Sequence, residues 1–233
     1  MHKTLAAMMV ASCVCWAGCR ADPGGDLPTP NGNAEAAAER APERGEGSAD
    51  AARQQETVVR AGEPIPWKPR PVGEFSFTER SGKTVTGETL KGKPWVVGFV
   101  FTRCAGPCLT VTGNMRQLQR RTGIQLVTIT VDPKYDTPEV LTKYANAFAG
   151  LTPERAEEWL FLTGDQREIY TLIAKTFEEP VKEITGPDRV PGFEVLHSAN
   201  VFLIDKEGTI QGRFNGRLEE EMVRLRRAIE ALD

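Results

Sequence analysis

Five cysteines and two histidines are the soft ligands and strong nucleophiles of this 233-residue chain, and they are unevenly placed. Cys13, Cys15 and Cys19 cluster with His2 at the N-terminus, leaving Cys104, Cys108 and His197 for everything downstream. Any thiol or imidazole chemistry of the folded part therefore draws on three side chains. Cys104-Ala105-Gly106-Pro107-Cys108 follows the apolar run Trp95-Val96-Val97-Gly98-Phe99-Val100-Phe101 and precedes Val111, Met115 and Leu118 at helical spacing. The pair thus sits where a buried strand turns into a helix, at the sheet edge where α/β folds build their sites. A helix N-terminus stabilises a thiolate there, and at spacing i, i+4 both sulfurs can face one way. They can close a disulfide, which needs Cα atoms roughly 4.4–6.8 Å apart, or share one metal ion. Two thiolates and an imidazole form a soft donor set that suits copper as Cu(I) or Cu(II). Zinc prefers four ligands, and no fourth Cys or His remains, so a zinc site needs a carboxylate or water to complete it.

Other readings of these residues have a physical content of their own. A purely structural disulfide closes so short a loop that it constrains the unfolded chain little. A single histidine is commonly a packed or surface residue, but His197 stands in Val195-Leu196-His197-Ser198, just before the strand-like Asn200-Val201-Phe202-Leu203-Ile204. That loop is expected beside the cysteine turn. As a thiol–disulfide reductase, Cys104 would attack and Cys108 would resolve the mixed disulfide. A peroxiredoxin-type peroxidase would need Thr three residues before the reactive cysteine, where Phe101 stands. Asp132 reads either as an acceptor behind the site or as a cap on a strand end.

The elements that must position these side chains alternate. Phe75-Ser76-Phe77-Thr78, the turn Ser81-Gly82-Lys83 and Thr84-Val85-Thr86 make an N-terminal hairpin. A β-rich run covers 124–131. Asp136-Thr137-Pro138-Glu139 is a helix start, with Val140, Leu141, Tyr144, Ala145 and Phe148 on one stripe. Leu160-Phe161-Leu162 is a short strand, and Ile169, Leu172, Ile173 and Phe177 mark another helix. A second hairpin turns at Asp205-Lys206-Glu207-Gly208, and a last helix from about Leu218 buries Met222, Leu225, Ile229 and Leu232. This order predicts an α/β, thioredoxin-like fold with a central mixed β-sheet flanked by helices.

The N-terminus reads as an address. A basic start at 1–3, an uncharged apolar stretch at 4–18 and Trp16-Ala17-Gly18-Cys19 describe a signal peptide, too short for a comfortable membrane span. Cysteine after Ala-Gly resembles a bacterial lipobox, with Cys19 as the acylated residue and Cys13 as the alternative. Export to the periplasmic side of a bacterial membrane, held by a lipid anchor, is expected, and such a compartment permits disulfides. Residues 19–65 read as a flexible tether: between 20 and 64, 21 of 45 residues are Ala, Gly or Pro and none is aromatic. That composition buries too little apolar surface to offset ordering entropy. The folded domain is expected over 66–233. A net charge of −3 gives no electrostatic case for nucleic acid, and no long exposed apolar stripe demands a dimer, so a monomer is expected.

The domain resembles the SCO/SenC family of copper-binding, thioredoxin-like proteins of cytochrome c oxidase assembly. The matching pieces are Gly92-Lys93-Pro94, Phe101-Thr102-Arg103-Cys104 with Cys108, Val131-Asp132-Pro133 with Asp136-Thr137-Pro138-Glu139, and Leu196-His197-Ser198 before Phe202-Leu203-Ile204-Asp205. The resemblance implies that Cys104, Cys108 and His197 hold copper. It further implies a carrier whose partner is a cytochrome c oxidase subunit or another copper or redox protein. Two positions depart from the family pattern: Ala105 and Leu109 stand where proline usually follows each cysteine. Pro107 instead gives Gly106-Pro107-Cys108, as in thioredoxin active sites, which keeps thiol–disulfide exchange in view.

Overall fold

The computed structural model describes residues 67–150 and 157–232. The signal segment, Cys13, Cys19 and the tether 19–65 lie outside the described residues.

Ten strands and four α-helices follow one another along the described chain. Eight strands form one mixed sheet: β1 (Arg70–Pro71), β2 (Ser76–Glu79), β3 (Thr84–Thr86), β4 (Trp95–Val100), β5 (Gln125–Thr130), β6 (Trp159–Thr163), β9 (Asn200–Ile204) and β10 (Thr209–Asn215), in the spatial order β1-β10-β9-β4-β5-β6-β2-β3. The centre β4-β5-β6 is parallel. The hairpins β2–β3 and β9–β10 add antiparallel flanks on either side. This is the thioredoxin-like arrangement expected from the order of elements.

Strand β4 is buried along its whole length, as a continuous apolar run covered on both faces must be. Its alternate residues feed two cores. Trp95, Val97 and Phe99 join Phe77, Ile169, Phe177 and Phe202 on one face. Val96 joins Val111, Met115, Leu126, Leu141, Phe161 and Leu225 on the other, where α1 (Cys108–Thr122), α2 (Pro138–Tyr144) and α4 (Glu219–Glu230) pack. Gly98 permits the close approach of α1: a Cβ there would lie 2.8 Å from Met115 Sδ. Cys108, at the start of α1, lies in the same core as Val100, which ends β4, and Phe101 just after it.

Two expected helical stripes are shorter in the structure. Leu141, Tyr144 and Ala145 are buried, but the chain widens into a π-helical turn (Ala145–Ala149) that carries Phe148 off the face, leaving it exposed. In α4, Leu225 and Ile229 are buried, whereas Leu232 lies past the helix end and is exposed. Helix α3 (Gln166–Lys175) buries Ile169, Leu172 and Ile173 as its spacing predicts, and Asp165 caps it by accepting from the N–H groups of Arg167 and Glu168.

A separate two-stranded sheet pairs β7 (Val181–Glu183) with β8 (Val195–His197), in the register Val181↔His197 and Glu183↔Val195. His197 therefore ends a strand rather than lying in an irregular loop.

Candidate metal centre

The strand-to-helix turn delivers the two cysteines. The Cys104 N–H donates to the Phe101 carbonyl at 3.2 Å, closing the turn after β4. Pro107 occupies the N-cap of α1 with φ −72° and offers no capping side chain, so the helix presents its first N–H groups and positive dipole end beside the sulfurs. Cys108, the first helical residue, is buried, and Cys104 is half-buried. Neither is disulfide-bonded.

His197 arrives from β8. Its Nε2 lies 3.5 Å from Cys108 Sγ, and ligand atoms of Cys104, Cys108 and His197 all lie within 4.8 Å of one another. They are the one such cluster of potential metal ligands among the described residues. His197 Nδ1 lies 2.8 Å from the Ser198 carbonyl oxygen. A carbonyl can only accept, so Nδ1 donates there, and this bond fixes the ring with Nε2 facing the sulfurs. The Phe101 ring meets the imidazole edge-on, with centroids 5.7 Å apart.

The sulfurs are electrostatically unlike. Cys104 is pushed down to about 4, first because the Cys108 side chain hydrogen-bonds its sulfur, with burial opposing and with the His197 side chain and the N–H groups of Cys108 and Gly106 helping. Cys108 is pushed up, first by that same bond, which holds its proton, and then by burial. The resting pair at neutral pH is therefore a thiolate at Cys104 and a thiol at Cys108. Two sulfurs and one imidazole nitrogen match the preference of copper, and four-ligand zinc would need a donor from outside this cluster.

Residues without thiol or imidazole brace this arrangement. The Asp136 carboxylate is fully buried; it accepts from the Thr102 N–H at 3.1 Å, from the Thr102 hydroxyl at 2.5 Å and from the Thr130 hydroxyl. It thereby ties the end of β4 to the end of β5. Burial pushes its pKa up, against the pull of the two threonine side chains. In the sequence Asp136 reads as part of a helix start. The cap is in fact Thr137, whose hydroxyl accepts from the Val140 N–H, and this frees Asp136 to turn inward. Asp132 neither caps by its side chain nor joins the three ligand atoms: its carboxylate pairs with Arg103. Arg103 also reaches Glu194 at 3.3 Å and lies 4.1 Å over the Tyr135 ring.

Comparison with known proteins agrees with this geometry. The family model described as SCO1/SenC matches residues 66–230. The SCO1 protein homolog of Bacillus subtilis (strain 168) is 32% identical over 151 residues, spanning 62% of this chain and 74% of that protein. The structure of Bradyrhizobium japonicum ScoI with copper bound is 26% identical, with a TM-score of 0.57 over 69% of this chain and 98% of that one. The structure of BsSco, a member of the Sco family of cytochrome c oxidase assembly proteins with a disulfide switch, is 27% identical, with a TM-score of 0.58 over 73% and 95%. The family match spans nearly the whole described domain and includes both cysteines and the histidine, and so this chain belongs to the SCO1/SenC family.

Proposed function

We propose that this protein is a copper carrier that takes up Cu(I) or Cu(II) on Cys104, Cys108 and His197 and passes it to a subunit of cytochrome c oxidase. The observation that carries this reading is the convergence of two sulfurs and one imidazole nitrogen within 4.8 Å, in a domain whose relatives include a copper-bound ScoI. Copper is cargo here. Cys104 offers a ready thiolate, Cys108 gives up its proton as it binds, and Nε2 of His197 supplies a neutral donor. Both cysteines must be reduced, because a Cys104–Cys108 disulfide consumes both sulfur ligands. Anaerobic titration of the reduced protein tests the reading. One equivalent of copper is expected, with affinity reduced at least tenfold in His197→Ala. Absence of stoichiometric binding by the wild type would refute it.

The same residues support a second reading, a thiol–disulfide reductase for a partner's metal-site cysteines. The observation favouring it is the pairing of a half-buried thiolate, Cys104, with a buried thiol, Cys108. The Cys104 thiolate would attack a partner disulfide and displace one partner thiolate. Cys108, losing its proton, would then attack Cys104 Sγ and release the second. The partner gains two electrons, and Cys104 and Cys108 end as a disulfide. Rapid reduction of a disulfide-bonded peptide by a protein that takes up no copper would favour this reading over the first.

The setting we infer is the periplasmic face of a bacterial membrane, with the chain exported and anchored through a lipid on Cys19. The lipobox-like Trp16-Ala17-Gly18-Cys19 and the Ala, Gly and Pro-rich stretch that follows support it. Such a tether suits a carrier that must reach a membrane-bound partner. Mass spectrometry of the mature N-terminus tests it: a diacylglyceryl adduct on Cys19 is expected, and an unmodified N-terminus would refute anchoring.

A further inference from the structure

His197 stands on a strand that is not part of the main sheet; β8 pairs with β7 alone among the described strands. Its ring can meet the sulfurs only if this two-stranded arm lies against the cysteine turn. At its base the arm is held by Val195, which is buried in the core, and by Glu183, which accepts from Lys134 and Gln166. Near the sulfurs a different set of contacts takes over. The Ala105 N–H donates to the Gly192 carbonyl at 3.0 Å. Gly192 has φ +84°, and a Cβ there would lie 2.4 Å from the Ala105 Cβ, so the two backbones are in close contact.

One carboxylate ties these contacts together. Glu194, 5% exposed, accepts from the Gly192 N–H through Oε2 at 2.9 Å and faces Arg103 Nη1 through Oε1 at 3.3 Å. Arg103 is the residue before Cys104, and Glu194 stands three before His197. The guanidinium is fixed from its other side by Asp132 and by the Tyr135 ring. Arg189 approaches Glu194 only at 3.9 Å and is itself half exposed. Glu194 is shielded from water and Arg103 partly so, and removing either partner leaves the other charge poorly compensated.

We propose that Arg103 and Glu194 form a clasp that positions the His197-bearing arm over the cysteine turn, and so sets how long bound copper is retained. This rests on the carrier reading above. Arg103 and Glu194 are positioning residues; neither contacts the ligand atoms. Opening the clasp lets the imidazole swing away while both sulfurs stay on the turn after β4 and the start of α1. Release would then proceed through a two-sulfur intermediate state of the site that a partner's thiol or imidazole can invade.

The test uses the full-length reduced protein and follows copper release to a chromophoric Cu(I) chelator. Glu194→Gln keeps size and an acceptor for the Gly192 N–H but removes the charge. Arg103→Gln removes the other partner. Each variant is expected to release Cu(I) about tenfold faster, as removing one partner of a shielded ion pair implies. The double variant should be no faster than either single one, since a clasp once opened cannot be opened twice. In the metal-free protein both variants should also speed alkylation of Cys104 by iodoacetamide several-fold, a readout that a general loss of stability spread over the domain would not confine to Cys104. Additive effects, or release and alkylation rates within twofold of wild type, would overturn the clasp while leaving the carrier reading intact. A wild-type protein that binds no copper would overturn both.

Discussion

Loading copper at neutral pH should displace a single proton, and that proton should come from Cys108. The reasoning is electrostatic. Cys104 is ionised from about pH 4 upward, so it enters the reaction as a thiolate. Cys108 holds its proton well above the ordinary thiol range, because its hydrogen bond to the Cys104 sulfur and its burial both favour the neutral form. Metal coordination requires the thiolate. Apparent Cu(I) affinity between pH 7 and 8.5 should therefore rise tenfold per pH unit, which is about 1.4 kcal/mol per unit, or roughly thirtyfold across the window. Competition against a Cu(I) chelator of known pH dependence measures the slope. Calorimetry in two buffers of different ionisation enthalpy counts the proton directly. The perturbation is Cys108→Ser, which should flatten the slope and weaken binding together. A slope of two in the wild type would mean that Cys104 begins as a thiol. A slope near zero would mean that Cys108 is already ionised. Either result would refute the assignment of unlike sulfurs.

Further expectations follow from the same geometry. Alkylation of Cys104 in the metal-free protein should be nearly independent of pH from 6 to 8, because its thiolate fraction is already saturated there; a tenfold rise per pH unit would contradict it. Asp136→Asn replaces one carboxylate oxygen by a donor and leaves the buried Thr102 N–H or a threonine hydroxyl unpaired, so unfolding by urea should show a loss of about 1–3 kcal/mol. The folded Asp136 pKa is raised above its ordinary value of 3.8, so the folded state holds that proton more tightly. Its contribution to stability is present below the unfolded pKa and is lost as pH rises through the folded one. Asp136→Asn should lack that component of the pH profile, and identical profiles for the two proteins would count against it.

Much of this architecture could be read from the chain because its signals are local. The short apolar run from Trp95 to Phe101, rich in valine and aromatic residues, reads as a doubly covered strand, and the helical spacing after Cys108 then places both cysteines at the turn. His197 stood out because one imidazole remains in the folded part. The residues that hold the site together left weaker traces. Asp136 sits in a strong helix-start signal, and nothing in that signal says that Thr137 caps while Asp136 turns inward. Strands β7 and β8 have three residues each, too few to show a period of two. Arg103 and Glu194 look like ordinary surface charges until the arm folds back over the cysteine turn, because pairing across such a separation is set by topology and leaves no local pattern. Phe148 left its stripe because the π-helical turn changes the helical period at that point.

X-ray absorption at the copper edge of the one-to-one Cu(I) complex is the most direct test of the central proposal. Two sulfur scatterers and one imidazole nitrogen are expected in the wild type, with the nitrogen lost in His197→Ala and one sulfur lost in Cys108→Ser. A copper environment unchanged by either substitution would contradict the account.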